Sequence, residues 1–232
     1  PEVFDLADTL EVLNLSGNQL SSLPHDLPRL RRLKVIFCSD NPFAQLPEVL
    51  GDCAALQVVG FKACRLAHVS GAALPPLLRW LILTDNAITE LPDEVGQRPA
   101  LQKLMLAGNQ LRGLPPGLAD AHKLELLRLS ANRVERLPGW LTELPRLSWL
   151  ALAGNPLGWH RAQPAPMPRV PWAQLRVDGL LGEGASGHIY RVHQAGSADE
   201  RALKLFKGLM TSDGLPEHEL AACLAAGQHP AL

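Results

Sequence analysis

The sequence predicts an α/β chain in two parts: a curved solenoid with a parallel sheet on its concave side, then the start of a second domain built from antiparallel strands and one helix. Three observations carry this. A pattern L-x-x-L-x-L-x-x-N runs seven times at a period of 23 residues, its ninth position falling at Asn18, Asn41, Cys64, Asn86, Asn109, Asn132 and Asn155. Five prolines between Pro156 and Pro171 then break the register. Beyond them Gly182-Glu183-Gly184-Ala185-Ser186-Gly187 is followed, about twenty residues after its first glycine, by Ala202-Leu203-Lys204.

Each element has a local reason. A fixed period marks a solenoid, in which each unit buries its apolar face only against its neighbours. Leu10, Leu13 and Leu15 recur as Leu33, Ile36 and Cys38, then Leu56, Val59 and Phe61, then Leu78, Leu81 and Leu83, up to Leu147, Leu150 and Leu152. Alternation of this kind predicts a short strand whose leucines point inward. The other half of the unit reads L-P-x-x-L-x-x-L-x-x-L, as in Leu137, Pro138, Leu141, Leu144 and Leu147. A spacing of three suits a helical or 3₁₀ return segment. Two departures stand out: Cys64 takes an asparagine slot, and the return from Val69 to Leu77 has lost its Leu-Pro and one residue. Local irregularity is expected there.

Composition bounds the function. A chain of 232 residues that is 47% hydrophobic can bury the cores of two modest domains. A net charge of −1 lacks the basic footprint of a nucleic-acid binder, so no nucleic-acid partner is expected. No apolar run approaches the roughly 18 residues of a spanning helix, and no basic-plus-apolar leader opens the chain. The expectation is a cytoplasmic protein without a membrane partner. Of four cysteines, Cys38 and Cys53 fall on core phases of the repeat, Cys64 on the asparagine slot and Cys223 on a predicted helix. They show neither metal-ligand spacing nor a disulfide framework, so reduced structural thiols and no metal site are expected. Sixteen Arg against six Lys, beside abundant Ala, Leu and Pro, suits a GC-rich bacterial genome. Pro1 stands nine residues before Leu10 as Pro24 stands nine before Leu33, and the last residues, His229-Pro230-Ala231-Leu232, fall inside a domain-like stretch. A fragment of a larger protein is therefore expected, with repeats over 1–158, a linker over 159–172 and a second domain begun over 173–232.

The first 158 residues resemble the leucine-rich repeat family, with consecutive units in one register. That resemblance implies a horseshoe, and asparagines whose side chains satisfy backbone groups at the turn after each strand. It also places ligands on the concave face. The third position there reads Val12, Val35, Val58, Trp80, Lys103, Leu126 and Trp149, and the fifth Asn14, Phe37, Gly60, Ile82, Met105, Arg128 and Ala151. An exposed stripe so rich in apolar side chains marks a partner site. Val35, Phe37, Trp80, Ile82, Met105, Leu126, Arg128 and Trp149 are the candidate contacts for a protein or peptide, unless another segment of the parent covers them. In the linker, Pro164, Pro166, Pro168 and Pro171 favour extended polyproline II, a semi-rigid spacer. Leu157 and Trp159 are expected to cap the last repeat.

Leu175 to Leu181 and His188 to His193 read as strands flanking the glycines, and Arg201 to Phe206 as a third. A dinucleotide-binding domain would place a helix straight after the glycines and an acid about twenty residues on. Here a strand follows and a lysine takes the later place, and no Gly-Lys-Ser/Thr of a Walker loop occurs. This stretch resembles the N-terminal lobe of protein kinases, truncated at Leu232. The resemblance implies that Gly182, Gly184, Ser186 and Gly187 cover the phosphates of ATP, that Ile189 and Ala202 face the adenine, and that Lys204 holds the α and β phosphates. It also implies a helix over Leu215 to Ala226 whose Glu219, with Glu217 as competitor, pairs with Lys204. Lys204 and Glu219 are thus the candidate catalytic residues, and ATP and Mg²⁺ the cofactors of the parent.

No His-Arg-Asp or Asp-Phe-Gly occurs in these residues, so the chain alone is expected to be inactive and to lack the Mg²⁺ ligands. The function expected of the parent is ATP-dependent phosphoryl transfer to a protein substrate, of Ser/Thr type, with the repeats binding a partner. The alternative is an interaction scaffold with a degenerate lobe.

Overall fold

The computed structural model describes residues 2–157, 169–184, 187–197, 199–208 and 214–217. The chain divides into two compact units, Pro1–Trp159 and His160–Leu232.

In the first unit seven strands of three residues, β1 Val12–Asn14, β2 Val35–Phe37, β3 Val58–Gly60, β4 Trp80–Ile82, β5 Lys103–Met105, β6 Leu126–Arg128 and β7 Trp149–Ala151, form one parallel sheet in chain order. Each residue pairs with its equivalent one repeat on, as Lys103 does with Leu126. The returns are 3₁₀ segments, among them Glu48–Leu50, Asp93–Val95, Pro116–Asp120 and Gly139–Glu143. Proline precedes each of these four in an extended conformation, which fixes the entry into the turn. The return Gly71–Ala73 has no such proline, and Ser70 replaces it as a cap: its side-chain oxygen accepts from the Ala72 amide.

Strand plus 3₁₀ return makes a thin unit with a continuous core. The inward phases Leu33, Ile36, Cys38, Leu56, Val59, Phe61, Leu78, Leu81 and Leu83 are all buried, and Phe43 meets Phe61 edge to face at 5.0 Å. Adjacent returns nearly touch. A Cβ on Gly51 would lie 1.8 Å from the Ala72 carbonyl oxygen, and one on Gly96 1.7 Å from that of Gly117. Glycine at these positions lets the convex side draw close.

The asparagines tie each turn to the preceding repeat. Asn132 Nδ2 donates to the carbonyls of Leu106 and Leu129, both at 2.9 Å, while its Oδ1 accepts from the Leu111 amide at 3.0 Å. Asn109 repeats this with Leu83, Leu106 and Ile88, and Asn155 with Leu129, Leu152 and Val134. Cys64 does half the work. Its thiol donates to the Cys38 carbonyl at 3.2 Å, but it has no amide oxygen to offer Phe43, whose N–H turns instead to the Asn41 carbonyl. Asn86 then accepts from both the Cys64 and the Leu66 amides, and Arg65 between them adopts φ 65°. This is the form taken by the irregularity expected at this repeat.

A second rule runs beside the ladder. The residue before each ladder position is left-handed in every repeat: Gly17, Asp40, Ala63, Asp85, Gly108, Ala131 and Gly154 have φ between 53° and 80°. The tight turn demands it.

The second unit is an antiparallel sheet of β8 Leu175–Glu183, β9 Gly187–Gln194 and β10 Glu200–Phe206, in the order β10-β9-β8. The strands run a little longer than the alternation predicted, because Gly182 and Gly187 belong to the ladder rather than to a loop. Pairing skips residues between Val177 and Gly179 and between Leu180 and Gly182. Pro216 and Glu217 are helical where the sequence predicts a helix to begin; the rest of that segment lies outside the described residues.

Candidate functional site

Two candidate sites can be built from these elements, one in each unit. On the concave face the side chains at the third and fifth repeat positions stand on the sheet opposite the leucine core. Val35, Phe37, Trp80, Ile82, Met105, Leu126 and Arg128 are half-buried among one another, and Trp149 is 50% exposed. The half-burial has particular causes. Phe37 leans over the glycine of the next strand, where a Cβ on Gly60 would come within 2.5 Å of its ring. Lys103 lays its ammonium 4.0 Å above the centre of the Trp80 ring, which holds both in place. Arg128 Nη1 lies 4.0 Å from Met105 Sδ. The result is an ordered apolar and aromatic strip that carries cations in its second half. Lys103 belongs to this strip as closely as the eight residues that sequence reasoning singled out.

At the glycine hairpin, register aligns several of the named residues. Ile189 pairs with Lys204 on one side and with Gly182 on the other, and Arg191 with Ala202. Directly opposed residues share a face, so Gly182, Ile189, Ala202 and Lys204 lie on the same side of the sheet. Lys204 Nζ stands 4.9 Å from the centre of the Phe206 ring on that side.

The glycines differ in what requires them. A Cβ on Gly187 would meet the Leu205 carbonyl oxygen at 2.4 Å, so strand packing alone demands glycine there. Around Gly182 and Gly184 a Cβ would meet nothing within 4 Å. The Gly184 N–H donates to the Gly187 carbonyl at 2.9 Å, so this amide closes the hairpin rather than pointing at a ligand. Ser186 and Glu219 lie outside the described residues.

Two ion clusters brace the hairpin, one on the opposite face around His188 and one on the same face around His193, and neither was legible as a local motif. Glu183 pairs with Lys207 and lies 3.6 Å from His188; the hydrogen bond and charge of Lys207, then the charge of His188, hold its carboxyl below the usual range. Asp178 accepts from His193 at 2.8 Å and from Arg176 at 3.0 Å. These are cross-strand or skipped-register contacts, and only the pairing brings them together.

Comparison with known proteins bears on the repeats. Residues 76–134 and 99–157 match the family model described as leucine rich repeat, and residues 9–30 match a second model of the same description. A chain of the Toll–Spatzle complex from Drosophila superposes with a TM-score of 0.58 and 27% identity, over 66% of this chain and 21% of its own length. A leucine-rich-repeat protein of Leptospira interrogans gives a TM-score of 0.48 and 28% identity over 66% of this chain and 45% of its own. A Dictyostelium discoideum protein described as a probable inactive serine/threonine-protein kinase, roco10, is 31% identical over 103 residues, 42% of this chain and 4% of that protein. This chain thus spans well under two thirds of each. The first unit is built of leucine-rich repeats, its parallel sheet is that of a repeat solenoid, and such repeats point to protein interaction. No helix among the described residues is long and apolar enough to cross a membrane.

Proposed function

We propose that this chain belongs to a cytoplasmic protein in which leucine-rich repeats capture a protein partner and the glycine hairpin begins an ATP-holding lobe of Ser/Thr protein kinase type. The observation that carries the second half is the pair Gly182 and Gly184. Among the described residues a Cβ at either position would meet nothing within 4 Å, which leaves room beside the hairpin for a bound molecule. Gly182 also stands in one row with Ile189 and Lys204, an arrangement in which an apolar side chain and a cation flank one bound molecule. ATP fits this donor set: a lysine for its phosphates and Ile189 with Ala202 for its base. Glu219 is the proposed partner of Lys204. The ligands of Mg²⁺ are not among these residues, and phosphoryl transfer to a protein substrate is assigned to the parent rather than to this chain.

A second reading, a binding scaffold whose lobe does not catalyse, has its own support. The Gly184 amide is engaged by Gly187, and the Dictyostelium relative is described as a probable inactive kinase. ATP binding in the natural reading frame separates the two. Mg·ATP raises the melting temperature of the parent protein, and Lys204→Met abolishes the rise, if the lobe holds nucleotide; no rise in either form leaves the scaffold.

A further inference from the structure

The glycine hairpin carries one acid where a phosphate-holding loop has least use for it. Between Gly182 and Gly187 the only charged residue is Glu183, set between the two glycines beside which the hairpin leaves open space. A carboxylate there can lie on either side of the sheet, and register decides which. Gly182 pairs with Ile189 and Glu183 with His188, so alternation turns the Glu183 side chain to the face opposite Gly182, Ile189 and Lys204. Lys207 comes to the same opposite face from just past the end of β10, one residue beyond Phe206, whose partner is Gly187.

There Lys207 Nζ donates to Glu183 Oε1, the oxygen that also lies 3.6 Å from His188 Nε2. The hydrogen bond and charge of Lys207 hold the carboxyl below the usual range, so it stays ionised near neutral pH. As a source of stability the pair counts for little, because the side chains of Lys207 and Glu183 are 38% and 56% exposed. Its weight lies in where it holds a negative charge.

Resting on the reading of the hairpin as an ATP-holding lobe, we propose that Lys207 is a positioning residue: it ties the Glu183 carboxylate to the far face of the hairpin, offsets its charge, and so keeps a fixed anion away from the nucleotide phosphates. Without Lys207 the glutamate is free to leave that face. Its charge, no longer offset, then repels phosphates held beside Gly182 and Gly184, within the screening length of roughly 10 Å at 0.1 M salt. The repulsion acts on the phosphates and not on the base or the sugar.

The test compares Mg·ATP with adenosine by titration calorimetry on the parent protein in low salt. Lys207→Met weakens Mg·ATP about threefold or more and leaves adenosine unchanged, while Lys207→Arg keeps the parental affinity for both. Glu183→Gln restores Mg·ATP binding in the Lys207→Met background, because no carboxylate is left to hold away. Added salt narrows the gap between Lys207→Met and the parent. Melting temperatures near that of the parent show that the variants fold. Parental affinity for Mg·ATP in Lys207→Met, a loss that Glu183→Gln does not restore, or an equal loss of adenosine overturns the inference and leaves the ATP reading standing. Lys207 would then do nothing, contact the nucleotide itself, or merely support the fold. A parent protein that binds no Mg·ATP overturns the ATP reading and the inference with it.

Discussion

The two units solve the problem of apolar surface in opposite ways. In the repeats every inward leucine finds a neighbour in the next unit, and the buried core is continuous from Leu23 to Leu144. In the three-stranded sheet only Val192 is a buried apolar side chain among the described residues, while Leu180, Leu181 and Val177 are exposed at 55%, 53% and 43%. The first unit therefore draws its stability from packing and from the buried asparagine ladder. Among its described residues the second shows strand pairing and surface ion pairs such as Asp178–His193 and Glu183–Lys207. A residue in the repeats is usually explained by what it packs against. In the hairpin Gly182 and Gly184 are not so explained among the described residues, and that is where a ligand-based account has room.

The largest expected effect breaks the first unit. Asn132→Ala leaves the buried Leu111 amide without its partner and takes one of two donors from the Leu106 and Leu129 carbonyls, which Asn109 and Asn155 still serve. The orphaned amide and the two lost hydrogen bonds together cost about 2 to 3 kcal/mol. His193→Ala removes partly exposed ion pairs in the second unit and costs under about 1 kcal/mol. Urea unfolding followed separately by array and hairpin probes measures both. Equal costs would mean that the ladder is not what distinguishes the units.

The same contrast decides what could be read before the structure. The array was legible because its signals recur: the leucine phases are seen seven times and the ladder asparagine six, so one substitution such as Cys64 cannot hide the pattern. The left-handed residue before each ladder position recurs equally often, but as Gly, Asp or Ala it has no single letter to reveal it. Phe37 over Gly60 and Lys103 over Trp80 were hidden for a different reason. Both join residues about one repeat apart, and the choice of which side chain leans on which neighbour is made by shape, not by spacing. In the hairpin the strands could be read from alternation. The division of its glycines into one required by strand packing and two in open space could not, because Gly187 is set by the backbone of Leu205, a strand away.

A smaller effect sharpens the packing side of the comparison through pH. Burial raises the Cys38 thiol to about 12 and the Cys53 thiol to about 11, from an ordinary value of 9.0. Below about pH 9 these thiols are neutral in both folded and unfolded chains and do not affect the balance. Above it the unfolded chain loses protons that the folded one keeps, so stability falls with rising pH, by about 1.4 kcal/mol per pH unit for each thiol until the folded value is reached. Urea midpoints at pH 8, 9 and 10 under reducing conditions, compared between the parent and Cys38→Ala, isolate one thiol from the lysines that titrate nearby. The variant should show the shallower decline above pH 9; parallel curves would place Cys38 in contact with water.

The smallest effect concerns the backbone of the turn. Ala131 holds φ 53° and Ala63 φ 54°, in a region that L-residues with a Cβ enter at a cost of about 1 to 2 kcal/mol. The equivalent positions Gly17, Gly108 and Gly154 avoid that cost. Ala131→Gly relieves the strain in the folded chain and adds conformational freedom to the unfolded one, which takes back about 0.5 to 1 kcal/mol. The net expectation is stabilisation by about 0.5 to 1 kcal/mol. Ala54→Gly provides the control, because Ala54 is exposed and its φ is not positive, so only the unfolded-state penalty applies and stability falls. If Ala131→Gly destabilised the chain as Ala54→Gly does, the turn would not impose a left-handed residue. The repeat would then owe its tight corner to the asparagine alone.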